Sequence, residues 1–147
     1  MKKYLYALLC LFLPAVSAIA TEHTAPAEVM GAVTVDTATA KRLYDQGNIF
    51  IDVRNLEYFN YEHIRGAKHL DVNSELFTAG DLNILAEKGQ GVVFYCNGIH
   101  CLGSSKASKK AAEWGWRKIY YYREGFPKWK EAGYPIGSFE YPESVAH

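Results

Sequence analysis

Short apolar segments alternate along this chain with segments whose apolar residues recur at helical spacing. The apolar segments are rich in β-branched and aromatic residues, as buried strands are. We predict strands over residues 33–35, 49–54, 92–95 and 118–122, and one more short strand after the turn at Gly66. Helices are predicted over residues 37–45, 56–62, 105–114 and 125–131, with one or two shorter helices between residues 71 and 89. This alternation predicts an α/β fold with a mainly parallel central sheet.

The most informative stretch is the predicted strand Val92–Tyr95 with the loop that follows it. The strand leads directly into Cys96, and Ser104 or Ser105 is placed to cap the next helix. Ligands of parallel sheets bind where the strands end, so this cysteine lies where a site is expected. Backbone N–H groups in the loop and at the helix start carry partial positive charge and favour a thiolate or a persulfide anion. The residues expected to form this anion cradle are Asn97, Gly98, Ile99, His100, Cys101, Leu102, Gly103 and Ser104.

Cys96 is therefore our candidate nucleophile. The structural alternative is an inert cysteine at the end of a core strand, a common place for free cysteine. Cys101 is either a resolving thiol, which would attack a persulfide or sulfenate on Cys96 and form a disulfide, or a small apolar residue at a helix start. His100 either gives the loop a positive charge at mildly acidic pH or is an exposed loop histidine. We predict no metal site, because the histidines and cysteines lack the paired ligand spacing of a zinc site.

Residues 1–20 have the pattern of a secretory signal peptide. Lys2-Lys3 is a basic start, Leu5–Val16 is an apolar run, and Ala18-Ile19-Ala20 is a cleavage pattern of small residues. The run is short for a transmembrane helix, and no second run follows, so we expect no membrane association after cleavage. We predict an exported, periplasmic protein whose mature chain begins with a flexible lead-in over residues 21–31.

The composition narrows the possible partners and the redox chemistry. The 147 residues suit a single domain and carry 16 basic and 16 acidic side chains. Without the signal peptide, 14 basic and 16 acidic side chains remain, and this balance argues against a nucleic-acid partner. Cys96 and Cys101 are the two cysteines of the mature chain. In an oxidising compartment they either bond to each other, or a reducing partner keeps at least one of them reactive.

Three ordered stretches resemble the hallmarks of single-domain rhodanese-like sulfurtransferases. They are Ile51-Asp52-Val53-Arg54 with Glu57-Tyr58 and Glu62-His63-Ile64-Arg65-Gly66-Ala67; Val93-Phe94-Tyr95-Cys96 with its loop; and Tyr121 to Gly125 with Trp129 and Ala132-Gly133-Tyr134-Pro135. The form Cys-Asn-Gly-x-x-Cys resembles the active-site loop of an exported subgroup of these proteins.

The resemblance implies a rhodanese-like fold over residues 32–137, with helices on both faces of the sheet, followed by a tail of residues 138–147. It implies that Cys96 takes a sulfane sulfur from a donor, holds it as a persulfide and passes it to a thiol or protein acceptor. Asp52 and Arg54 are similar to residues that support the loop in the family, and we expect them to form a partly buried polar network.

One departure from the family concerns the sulfur donor. Family members that use thiosulfate usually have a basic residue near the end of the loop, whereas residues 97–105 contain no Lys or Arg. A doubly charged oxyanion is harder to hold without that charge. The absence of this charge argues against thiosulfate as the best donor. We therefore expect a persulfide or polysulfide donor instead, and we keep thiosulfate as the third candidate.

Two alternative functions stay open. A thiol–disulfide redox protein would need both Cys96 and Cys101, whereas sulfur transfer needs only Cys96. A non-catalytic sulfur carrier or interaction module would bind its partner without turnover. We expect no cofactor, and we expect as partners a small sulfur donor and a thiol acceptor, with a redox or sulfur-carrier protein as a further candidate.

Overall fold

The computed structural model describes residues 23–139. The predicted signal peptide of residues 1–20 and most of the predicted tail of residues 138–147 lie outside the described residues. Within residues 23–139, no helix combines the length and the apolar composition that a membrane span requires.

Strands and helices alternate along the described chain, as the hydrophobic pattern predicted. The strands are β1 (Val33–Val35), β2 (Ile49–Asp52), β3 (His63–Ile64), β4 (Lys68–His69), β5 (Val92–Tyr95), β6 (Ile119–Tyr122) and β7 (Ile136–Gly137). The helices are α1 (Thr37–Asp45), α2 (Leu56–Tyr61), α3 (Ala79–Leu85), α4 (Gly103–Glu113) and α5 (Gly125–Glu131).

Five strands form one parallel sheet in the order β1-β6-β5-β2-β4. In its register Phe94 of β5 lies between Ile51 of β2 and Tyr121 of β6. The strands β3 and β7 form a separate antiparallel pair. Because β2, β5 and β6 are parallel neighbours, their carboxyl ends meet at one edge of the sheet.

The core lies on both faces of this sheet. Helices α3 and α4 pack on one face, where Phe94 contributes to the core. Helices α1 and α5 pack on the other face with Val93, Tyr95 and the fully buried Trp129. Alternate residues of β5 thus enter opposite layers, as the pleat of a strand requires. The predicted α/β fold, with a parallel central sheet between helices, is confirmed.

Helix α4 differs from its prediction at the end that faces the site. It begins at Gly103, with Leu102 as its N-cap residue, and no side chain caps it. The prediction that Ser104 or Ser105 caps the helix is therefore wrong, and both serines lie buried in its first turn. The hydroxyl of Ser105 instead donates to the Leu102 carbonyl over 2.9 Å. The small Gly103 lets the helix begin two residues early, against the end of β5.

The segment between β4 and β5 holds one helix, α3. Within this segment, Phe77 and Leu82 are buried. Leu76 lies before α3 and is 67% exposed. Ile84 of α3 is 81% exposed, because a single short helix turns only one side toward the core. The antiparallel pair formed by β7 was not predicted, since two residues carry no periodicity.

Candidate active site

Cys96 follows directly after β5, the central strand of the sheet, and β5 lies between β2 and β6. Cys96 is 3% exposed, and its carbonyl accepts a hydrogen bond from the N–H of Phe126 over 2.9 Å. Gly125 has a φ of 66°, and a methyl group at this position would lie 2.3 Å from the Cys96 carbonyl oxygen. Helix α5 therefore begins in direct backbone contact with the end of β5, which fixes the position of Cys96.

Cys96 and Cys101 form a disulfide, with their Cα atoms 6.1 Å apart. The sequence left Cys101 open between a resolving thiol and a small apolar residue, and the structure places it as the disulfide partner. A turn at Gly98 brings it back, since Gly98 has a φ of 96° and the Cys101 N–H donates to its carbonyl over 3.0 Å. A Cβ atom at Gly103 would lie 3.1 Å from Cys96 Sγ, so the sulfur lies against the start of α4.

A cavity of about 260 Å³ opens beside the disulfide. Of the eight predicted loop residues, the structure brings four to this cavity together with Cys96, and they are Asn97, Cys101, Leu102 and Gly103. The other four, Gly98, Ile99, His100 and Ser104, do not line it. The first N–H groups of α4 have no acceptor within the helix, so they remain able to stabilise an anion formed at Cys96.

Arg54 also lines the cavity, and it belongs to a buried ion pair with Asp52. The Arg54 guanidinium donates to both oxygens of Asp52, from Nε over 2.9 Å and from Nη2 over 2.7 Å. Asp52 is 0% and Arg54 is 5% exposed. Arg54 Nη1 also donates to Asn97 Oδ1 over 3.0 Å, and Nη2 donates to the Glu62 carbonyl over 2.7 Å. The two residues thus join β2 to the loop that follows β5.

Residues 36–132 match the family model described as rhodanese-like domain. The chain belongs to the rhodanese-like family.

Similar proteins agree with this assignment. Thiosulfate sulfurtransferase GlpE of Actinobacillus succinogenes is 28% identical over 102 residues, which cover 67% of this chain and 86% of the relative. The crystal structure of BH2092 from Bacillus halodurans has a TM-score of 0.62 at 25% identity, and the match covers 74% of this chain and 78% of that one. The polysulfide-sulfur transferase homodimer of Wolinella succinogenes has the same fold, with a TM-score of 0.56 at 21% identity, covering 80% of this chain and 85% of that one.

Lys106 is a cation of this rhodanese-like site that the sequence analysis missed. It follows directly after the loop of residues 97–105, lines the cavity and lies in the first turn of α4. Its ammonium makes no ion pair with any residue between 23 and 139. The helical spacing indicates this position once the start of the helix is known. In a helix that begins at Gly103, Lys106 is the fourth residue, so its side chain lies on the same side as the residues at the helix N-terminus. The loop contains no basic residue, but the helix supplies one.

Two histidines, His63 and His69, take structural positions in the rhodanese-like domain. His100 is exposed and lies outside the cavity. His63 hydrogen-bonds through Nδ1 to the Phe59 carbonyl over 2.8 Å, and His69 donates from Nε2 to the Arg54 carbonyl over 2.8 Å. Between residues 23 and 139 no three His, Cys, Asp or Glu side chains come together as a metal site would require.

Two tyrosines end strands next to the site. Burial, and secondarily the Asp52 carboxylate, raise the pKa of Tyr95 well above its usual value, and its hydroxyl accepts the Ile64 N–H over 3.1 Å. Burial likewise raises the pKa of Tyr122, whose hydroxyl shares a hydrogen bond of 2.9 Å with Thr37. Both phenols therefore stay neutral around pH 7, and they hold the strand ends in place rather than supplying charge.

The described part of the predicted lead-in, residues 23–31, contacts the active-site loop. The Ala25 N–H donates to the Ile99 carbonyl over 2.6 Å, and Ala25 is 2% exposed. Arg123, just after β6, donates to the carbonyls of Ala25 and Pro26 over 2.8 to 3.1 Å. The sequence predicts only a flexible lead-in here, whereas in the structure the segment supports the outer side of the loop.

Proposed function

We propose that this protein is a sulfurtransferase in which Cys96 carries sulfane sulfur as a persulfide from a donor to a thiol or protein acceptor. The observation that carries the proposal is the position of the Cys96 sulfur. Cys96 follows the central strand, and its Sγ lies against the start of α4, beside a cavity that Lys106 lines. A relative named thiosulfate sulfurtransferase, at 28% identity, supports the same chemistry.

The reaction begins from the reduced protein, because Cys96 in the disulfide has no free thiolate. The Cys96 thiolate attacks the outer, sulfane sulfur of the donor, and the remainder of the donor leaves with the electron pair of the broken S–S bond. The N–H groups at the start of α4 stabilise the resulting persulfide anion, since they present partial positive charge to it. The acceptor thiolate then attacks the outer sulfur and regenerates the Cys96 thiolate.

Lys106 bears on the choice of donor. Thiosulfate carries two negative charges, and polysulfides are also anions, so a cation on the cavity wall attracts both. The Arg54 guanidinium contributes less, because Asp52 pairs with it. We therefore include thiosulfate with persulfides and polysulfides in the donor class.

We further propose that the protein acts outside the cytoplasm, as the pattern of residues 1–20 and the Cys96–Cys101 disulfide support. In such a compartment the disulfide persists until a dithiol reduces it. A reducing partner protein is therefore part of the proposal.

The test is the intact mass of the reduced, desalted protein after incubation with thiosulfate and, separately, with polysulfide. A gain of about 32 Da that dithiothreitol removes, and that Cys96→Ser lacks, is the expected result. Measuring each donor on its own shows which of them the site accepts. If neither donor adds sulfur to the fully reduced protein, even transiently, and neither adds it to Cys101→Ser, the proposal is wrong.

The disulfide itself favours a second candidate, a thiol–disulfide redox protein. In that case the dithiol and disulfide forms interconvert with a partner dithiol, and no sulfur is taken up. Both Cys96→Ser and Cys101→Ser would then abolish the activity, whereas the first proposal needs only Cys96 for sulfur uptake.

A further inference from the structure

We infer that Cys101 is the first acceptor of the Cys96 persulfide, and that it discharges the carried sulfur as hydrosulfide while the Cys96–Cys101 disulfide forms. This inference rests on the proposed sulfur transfer, of which it names the acceptor, the product and the co-reactant. The protein would then reduce sulfane sulfur to sulfide at the expense of an external dithiol.

The geometry that brings the two sulfurs together does not depend on the bond between them. The Cys101 N–H donates to the Gly98 carbonyl, so the turn returns Cys101 toward the end of β5. The Ala25 N–H donates a hydrogen bond to the Ile99 carbonyl on the outer side of the loop, and Gly125 packs against the first residues of the loop. These backbone contacts remain after reduction, so the Cys101 thiol stays beside Cys96.

Burial decides which nucleophile reaches which sulfur. Cys96 is 3% exposed, and its Sγ is covered by Gly103 and bonded to Cys101. An external acceptor meets the outer sulfur of a persulfide in the cavity, whereas Cys101 reaches the inner one, as their bond shows. Attack on the inner sulfur is the step that gives the disulfide observed in the structure.

The step balances in atoms and electrons. The Cys101 thiolate attacks Cys96 Sγ, the bond between Sγ and the outer sulfur breaks, and that sulfur leaves with the electron pair as hydrosulfide. The proton of the Cys101 thiol ends on the leaving hydrosulfide. Each cysteine loses one electron and the sulfane sulfur gains two. An external dithiol then reduces the disulfide by exchange, becoming a disulfide itself, and restores both thiols.

The experiment follows a single turnover without external thiol. Reduced, desalted protein is mixed with one equivalent of polysulfide or thiosulfate, and samples are quenched in acid for intact mass. Hydrosulfide is determined in the thiosulfate samples, because uptake from thiosulfate leaves sulfite, whereas uptake from polysulfide itself releases hydrosulfide. For the native sequence we expect a transient gain of about 32 Da, then the mass of the disulfide form with one hydrosulfide released for each chain. For Cys101→Ser and Cys101→Ala we expect the added sulfur to persist, with hydrosulfide release slower by about tenfold or more.

The outcomes separate this inference from the proposal beneath it. If the native protein keeps the added sulfur and releases no hydrosulfide until an external thiol is added, sulfur transfer stands and the role of Cys101 is overturned. Equal hydrosulfide release by the native protein and by both Cys101 variants would also overturn it. If no form of the protein takes up sulfur, the proposed function itself fails. The paired Ser and Ala variants separate loss of the thiol from a change of polarity at this partly buried position.

Discussion

Arg54→Met tests whether charge pairing holds the wall of the active-site cavity. The substitution keeps an unbranched side chain and removes the guanidinium, which makes three side-chain hydrogen bonds to Asp52. It also removes the hydrogen bonds to the Glu62 carbonyl and to Asn97. Asp52 is fully buried, so its carboxylate loses its partner in a place that water does not reach.

The expected cost follows from that burial. Breaking a buried pair by removing one partner costs about 3–5 kcal/mol, because the remaining charge is uncompensated. The Arg54 backbone N–H still donates to Asp52 over 3.0 Å in the variant, so we expect about 3 kcal/mol, the lower end of that range. With a urea dependence of about 2 kcal/mol per molar, the unfolding midpoint falls by roughly 1.5 M.

Equilibrium unfolding in urea measures this loss. The buried Trp116 and Trp129 provide the fluorescence signal, and the disulfide is kept intact in every sample. Arg117→Met is the matched control, since Arg117 is exposed, and we expect a change within about 0.5 kcal/mol.

The double variant Asp52→Asn/Arg54→Met completes the design, because a neutral amide needs no buried counter-charge. We expect it to be more stable than Arg54→Met alone by about 1 kcal/mol or more. An Arg54→Met protein within about 1 kcal/mol of the native one would refute the reasoning. So would a double variant no more stable than the single variant, because the stabilisation would then not come from the pairing of charges.

Two further predictions concern the donor and the strand end. Lys106→Gln should slow sulfur uptake from thiosulfate by roughly fivefold at low salt and by less at high salt, while Lys109→Gln, on the same helix but outside the cavity, changes it little. Equal rates for the two variants would exclude a donor contact. Gly125→Ala should lower the free energy of unfolding by about 1–3 kcal/mol more than Gly133→Ala in urea unfolding. Both glycines have positive φ, but only the methyl group at position 125 would collide with the backbone, at the Cys96 carbonyl oxygen. Equal losses of unfolding free energy in the two variants would show that this contact does not matter for stability.

Much of the fold follows from local composition. The strand Val92–Tyr95 is buried at every position, so a continuous apolar run was enough to identify it as central. Asp36 accepts the Thr39 N–H and caps α1, and an aspartate directly before a helical pattern is typical of an N-cap. The start of α4 was misplaced because tertiary packing decided it. Gly103 fits against the disulfide, and that contact outweighs the capping preference of the serines behind it.

The site was predictable only in part, for a related reason. The position of Cys96 after the central strand could be predicted from the strand alone. The pairing of Cys101 depends on the turn at Gly98, which spacing does not reveal. The contribution of Lys106 depends on where α4 begins. Because the predicted helix start was two residues too late, Lys106 was not recognised as part of the site. The contact of Ala25 with the loop depends on Arg123, nearly the whole domain away in sequence, and no local pattern indicates it.

The strand β1 comes first in the chain but pairs with β6, where Val33 lies opposite Tyr120. Similarly β7, the last strand described, pairs with β3. Such distant contacts must overcome the entropy of closing long loops, so they form late in folding. A growing chain that ends within α4 already contains Cys96 and Cys101, but it lacks β6 and α5, which pack against the end of β5. Until the C-terminal elements are made, the two thiols lack the packing that buries Cys96 in the complete domain, so they are open to foreign disulfides and oxidants.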